Sequence, residues 1–396
     1  MEKTIMSFLS LTLLFIFFFL SSTLVMVESE KLFNVQSYGA KPDGSTDSTK
    51  AFIAAWGDAC DSDAPATMYI PAGRFSLGKL EFLGPCKNAI EVSIDGTLLA
   101  PSDYSAIGDE NVWILFEHVD GVRVSGGVLD GRGSGLWSCK SSGKNCPEGV
   151  TSLKFFNSNN IEINGLASED SQKFHIDINN CRNVKLQNVK VSASGDSPNT
   201  DGIHVGESTG VTILNSKIGT GDDCVSVGPG TTNLWVENVA CGPGHGISIG
   251  SLGKDDNEAG VQNVTVKTTT FSGTRNGLRI KTWGKPSSCF AKNILFQHSV
   301  MTNVENPIVI DQNYCPDGED CPGQQSGVEI SDVTYQDIHG SSATEVAVKF
   351  DCSKSTPCTG IELEDVKLTY NNKPAESSCS NAAGSASGVL KPLSCL

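Results

Sequence analysis

NTDGIHV (199–205), GTGDDCVSVG (219–228) and CGPGHGISIGSLG (241–253) repeat one arrangement. In each, a polar side chain stands just ahead of a short alternating apolar run. Asp201 precedes Gly202-Ile203-His204-Val205, Asp223 precedes Cys224-Val225-Ser226-Val227, and His245 precedes Gly246-Ile247-Ser248-Ile249. The interval is 22 residues both times. A unit that recurs at this period, with a polar group at the same place, predicts stacked coils.

Outward from this stretch the same rhythm continues. A phrase of the form polar, Asn or Gly, β-branched, polar, β-branched returns at Ile161, Val184, Val211, Leu234, Val264, Ile294, Val328 and Ile361. Earlier and looser matches are Ala89-Ile90 and Gly121-Val122. The steps run from 23 to 34 residues, so the strands are constant and the loops vary. A second series follows the first within each turn: DGIHV, DDCVSV, HGISI, NGLRI, NPIVI and EVAVKF. Units this short cannot bury a face alone and must stack on neighbours. A β-propeller blade needs about 40–50 residues, which these steps do not reach. The pattern therefore predicts an all-β chain folded as a parallel β-helix. One amphipathic helix is expected, Ser48 to Cys60, started by Asp47 or Ser48 and covering one end of the core.

Residues 1–29 read as a secretory signal: a short charged start, the apolar run Phe8 to Leu20, then small residues. Residues 30–396 are then one solenoid domain. Fourteen cysteines in a secreted chain favour disulfides over metal. Short-range candidates are Cys60–Cys86, Cys139–Cys146, Cys224–Cys241, Cys315–Cys321, Cys352–Cys358 and Cys379–Cys395, which leaves Cys181 and Cys289 paired or free. With no CxxC and six histidines, a structural zinc site is not expected. The formal net charge of −16 argues against nucleic-acid partners and anionic membranes. The sequon Asn263-Val264-Thr265 offers an N-glycan site. A monomer outside the membrane is expected once the signal is removed.

Alternation along the second series turns Ile203, Val205, Val225, Val227, Ile247, Ile249, Leu278, Ile280, Ile308 and Ile310 inward. His204, Ser226, Ser248, Arg279 and Val309 face outward. Stacked strands lie about 4.8 Å apart, so Asp201, Asp223 and His245 become neighbours, with Asp222 beside Asp223. Arg279 and Lys281 share parity on the next coil. Carboxylates this close cannot all ionise freely, and one should hold a proton while another stays charged. That is the pairing that glycoside hydrolysis requires. Any one of these acids alone would read as a turn cap. The registered set, with two cations on the same face, reads as a site for a carboxylate-bearing substrate.

These motifs resemble the plant polygalacturonases of glycoside hydrolase family 28. The matches are Asn199-Thr200-Asp201, Gly221-Asp222-Asp223, Gly244-His245-Gly246 and Arg279-Ile280-Lys281, within a pattern that covers residues 31–396. The resemblance implies a right-handed parallel β-helix and inverting hydrolysis of α-1,4-linked galacturonate in pectin, in the cell wall. By the same resemblance Asp222 would be the general acid, and Asp201 and Asp223 would activate water. His245 would tune the cluster, Arg279 and Lys281 would grip the galacturonate carboxylate, and Asn199 and Tyr314 would contact substrate or a neighbour. It implies no metal and no organic cofactor. The short leader is similar to that of the pollen-type exopolygalacturonases, a group that includes pollen allergens. Exo action needs one end of the cleft blocked, with Arg132 to Gly149 and Gln312 to Gly327 as candidate loops. Alternatives are an endo-acting enzyme, a rhamnogalacturonan or xylogalacturonan hydrolase, a pectate lyase, and an inactive cell-wall binding protein.

Overall fold

The computed structural model describes residues 30–316 and 321–396; the expected signal, residues 1–29, lies outside the described residues. The described chain winds through two long sheets, one of 20 strands and one of 11, paired parallel except at one short hairpin near the C-terminus. Each coil adds a strand to both sheets, so this is the stacked parallel β-helix that the two series predict.

The repeating Asn or Gly marks a corner. Asn160, Asn183, Asn233, Asn263 and Asn293 all have φ between 53° and 58°, and Gly210 and Gly360 also have positive φ. Only glycine, and to a lesser degree Asn or Asp, enters the left-handed region cheaply. The amides then bond up the stack: Asn183 Nδ2 donates to Asn160 Oδ1 (2.6 Å), and Asn263 Nδ2 to Asn233 Oδ1 (3.1 Å). One alignment needs correcting. Ile294 pairs with Val333, not Val328, and Val333 pairs with Ile361. The corner residue on that coil is Asp332, at φ 55°. An aspartate does there what Asn or Gly does elsewhere, so a search for Asn or Gly slipped to Gly327-Val328.

The smaller sheet carries the second series. Its central strands are β1 (Thr151–Phe156), β2 (Ile176–Asn179), β3 (Ile203–Gly206), β4 (Val225–Val227), β5 (Ile247–Leu252), β6 (Asn276–Trp283) and β7 (Asn306–Tyr314). Leu153, Ile176, Ile203, Val225, Ile247, Leu278 and Ile308 stand in register across them. All ten residues expected to face inward along this series have no accessible surface.

Helix α1 (Thr49–Cys60) covers the N-terminal end, burying Phe52, Ala55, Trp56 and Ala59. Of the two expected caps it is Asp47 that works: its Oδ1 accepts from the Thr49 N–H at 2.9 Å, while Ser48 makes no side-chain cap bond. A second helix, α2 (Ser134–Ser141), lies inside the segment expected to be loop. Two turns give too little periodicity to reveal it. All six candidate disulfides are formed, and Cys181 and Cys289 are free and buried. Burial pushes both of these thiols up to about 11, so neither is reactive near neutral pH.

Candidate active site

Four successive coils, β3 to β6, bring the expected residues together. Asp201, Asp223 and His245 each stand two residues ahead of a registered position, so they form one column. Asp222 sits beside that column and is held from several sides. Its Oδ1 accepts from the Asp223 N–H (2.8 Å) and lies 3.0 Å from His245 Nδ1, while its carbonyl accepts from the His245 N–H (2.8 Å). Gly244, at φ 139°, makes that approach possible, since a Cβ there would stand 2.5 Å from the Asp222 carbonyl oxygen.

Asp223 is fully buried and surrounded by donors. Its Oδ1 accepts from Arg279 Nη2 (2.8 Å) and Ser248 Oγ (2.7 Å), and its Oδ2 accepts from Lys281 Nζ (2.8 Å). Arg279 Nε donates in turn to Ser248 Oγ at 2.9 Å. Burial works to raise the Asp223 carboxyl. The Lys281 and Arg279 charges, with hydrogen bonds from Lys281 and Ser248, overcome burial and bring it down to about 2. Two cations around one carboxylate leave one unit of positive charge in excess.

Asp201 has the opposite setting. Burial is the largest influence on it, followed by the negative charges of Asp222 and Asp223, and its carboxyl is pushed well above the usual range. The Ser226 hydroxyl and Lys281 pull the other way without prevailing. Neighbouring carboxyls thus differ sharply: Asp223 is held ionised, while Asp201 has a much higher affinity for a proton, the property of a base.

The cluster opens into two lobes. The larger, about 730 Å³, is lined by Asn199, Asp222, His245, Arg275, Arg279 and Tyr314 among others. The smaller, about 250 Å³, is lined by Phe174, Asp201, His204, Ser226 and Lys281. Asn199, Asp222 and Tyr314 line both. The Tyr314 ring centroid lies 5.1 Å from Lys281 Nζ and 6.0 Å from the Arg279 guanidinium carbon. An extended ligand occupying both lobes would therefore pass Asp222 at its middle, with a cation at each side.

One donor atom from each of Asp222, Asp223 and His245 falls within 4.8 Å of the others. A metal ion held there would face Arg279 and Lys281, which already occupy Asp223, so the set suits proton chemistry better than metal binding.

Sequence reasoning placed His204, Ser226 and Ser248 outward but gave them no role. Their parity with Arg279 was the available signal. Ser248 joins Arg279 to Asp223, and His204 Nδ1 lies 2.8 Å from Ser226 Oγ.

Comparison with known proteins adds three findings. The sequence profile of Glycosyl hydrolases family 28 matches residues 60–395. A polygalacturonase of Prunus persica is 65% identical over 392 residues, 98% of this chain and 99% of that protein, and an exopolygalacturonase of Arabidopsis thaliana is 45% identical over 91% and 82%. Among solved structures, an endo-xylogalacturonan hydrolase of Aspergillus tubingensis superposes with a TM-score of 0.79 at 24% identity, covering 91% of this chain and 100% of that one. That last likeness speaks for the fold alone.

Proposed function

This chain belongs to glycosyl hydrolases family 28, as a polygalacturonase that hydrolyses pectin, and on that premise we propose an exo-acting, inverting enzyme of the cell wall that releases galacturonate from the ends of polygalacturonate. The observation that carries the chemistry is the acid cluster where the two lobes meet. Asp222, which lines both, protonates the oxygen that leaves as the glycosidic bond breaks. A water on the other face of the sugar attacks the anomeric carbon and gives its proton to Asp201. Asp223 stays ionised between its two cations, and its charge makes Asp201 a stronger base. At the end of the cycle Asp222 is a carboxylate and Asp201 carries the proton. Passing that proton to Asp222 resets the pair. His245, bonded to Asp222, holds the acid in place. Asn199 and Tyr314 line the walls where the two lobes meet.

The excess positive charge at Arg279 and Lys281 suits a uronate. The carboxylate of the sugar next to the scissile bond completes the neutralisation that Asp223 begins. Exo action is supported by the exopolygalacturonase relative and by the segment that contains α2. That segment is closed by Cys139–Cys146 and tied through Glu148 to Lys173 at 3.0 Å, beside Phe174 of the smaller lobe. Secretion, a monomeric state and a glycan on exposed Asn263 belong to the same proposal.

A time course on polygalacturonate tests this. Galacturonate monomer alone from the first sample is expected, without new ultraviolet absorbance. A ladder of oligomers would make the enzyme endo-acting. Unsaturated, absorbing products that depend on calcium would make it a lyase.

A further inference from the structure

An outward-facing row runs along the cleft floor, one residue per strand from β1 to β6: Lys154, Asp177, His204, Ser226, Ser248 and Arg279. The Arg279 end is occupied with Asp223. At the other end Lys154 Nζ pairs with Asp177 Oδ2 at 2.8 Å. The middle, His204 and Ser226, has no part in the chemistry described above.

His204 is placed with care. Its ring stacks on Phe174, with centroids 5.1 Å apart, and its Nδ1 stands 2.8 Å from Ser226 Oγ. Gly228 makes room for it, because a Cβ there would lie 3.1 Å from the His204 Cε1 and 3.2 Å from Nε2. Ser226 is almost fully buried and lines the smaller lobe with Asp201 and His204, and its hydroxyl acts to lower the Asp201 carboxyl. One hydroxyl is thus shared between the neighbourhoods of an imidazole and the proposed base.

A serine hydroxyl has one proton to give and lone pairs to receive. If the imidazole nitrogen accepts, the proton is spent on histidine, and Asp201 meets an oxygen lone pair. If the imidazole donates, the serine proton is free for the carboxylate. We propose that His204 is a positioning residue that donates its Nδ1–H to Ser226, so that the Ser226 hydroxyl points its proton at Asp201 and orients it as the base. Burial keeps the imidazole neutral, and a neutral imidazole can carry its one proton on Nδ1. The charged groups facing His204 are Asp177 and Lys154 on one side and Lys281 and Asp223 on the other. Those facing Asp201 are Asp222, Asp223 and Lys281. The inference rests on the reading of Asp201 as the base.

The test compares Ser226→Ala, His204→Leu, His204→Asn and the double variant Ser226→Ala/His204→Leu in the full chain, with Asp201→Asn as control, on polygalacturonate. Ser226→Ala and His204→Leu should each lower kcat about tenfold with little change in KM. Each should also move the acidic limb of kcat/KM to higher pH, since losing a donor to the charged form raises its pKa. The double variant should be no slower than Ser226→Ala alone, because both residues act through one hydrogen bond. His204→Asn keeps an N–H donor near the Nδ1 position and should restore most of kcat and the acidic limb. Additive losses, an unmoved acidic limb, or a change in KM alone would overturn the proposal. If His204→Leu does not fold, Ser226→Ala and His204→Asn still decide it. Turnover surviving in Asp201→Asn removes the base reading and this inference with it. A dead Asp201→Asn beside wild-type Ser226→Ala removes only the inference.

Discussion

Two polar stacks climb this molecule, one at an exposed corner and one on the cleft floor. At the corner, Asn160, Asn183, Asn233, Asn263 and Asn293 repeat coil by coil, uncharged and open to water. On the floor, Asp201 and Asp223 stand on successive coils with Arg279 and Lys281 together on a later one, titratable or charged and nearly sealed from water. The geometry is common to both. What differs is burial, which strengthens every charge interaction on the floor: two cations pull Asp223 down, while desolvation and neighbouring carboxylates push Asp201 up. At the corner the same stacking yields only turn conformation and amide hydrogen bonds.

The sharpest way to break this contrast is Asp222→Asn. It should lower kcat by about 10²–10⁴, read as reducing-end release, while thermal unfolding stays near wild type. Turnover close to wild type would end the proposed role of the floor.

The second test is Asp223→Asn, which removes the carboxylate from two buried cations. A stability loss of about 3 kcal/mol is expected near neutral pH, measured by chemical denaturation. The folded carboxyl, at about 2, lies below its ordinary 3.8. Its contribution is therefore present above about pH 4 and disappears as pH falls toward 2. The gap between variant and wild type should narrow over that window. Asp201→Asn should act with the opposite sign. Its folded carboxyl is raised, so the wild type loses stability as pH climbs past the ordinary carboxylate range, and the variant should gain on it there.

The smallest effect belongs to the corner. Asn233→Ala should cost about 1 kcal/mol because alanine resists positive φ, whereas Asn233→Gly should cost far less. Neither should change kcat. A corner variant that lowers kcat without lowering stability would erase the distinction between the two stacks.

Much of this was legible in the chain. Period-2 alternation put ten apolar residues inside, and the 22-residue interval placed Asp201, Asp223 and His245 in one column. Nearness in sequence made the six disulfides candidates without fixing their connectivity, and the structure joins all six. Three features were not legible. Val333 replaced Val328 because aspartate shares the left-handed corner with Asn and Gly. The helix Ser134–Ser141 is too short to show a period. The partnership of Arg279 and Lys281 with Asp223 spans 56 and 58 residues, and parity shows only that all share a face.

By itself, then, the sequence determined the coil, the column of polar groups and the sign of the nearby cations, because strand alternation and repeat length are local. Only the tertiary structure decided which carboxyl is pushed up, which is pulled down, and that His204 meets Ser226 in the lobe that Asp201 also lines. Proton affinity depends on burial and on charges from other coils, and neither exists until the coils are stacked.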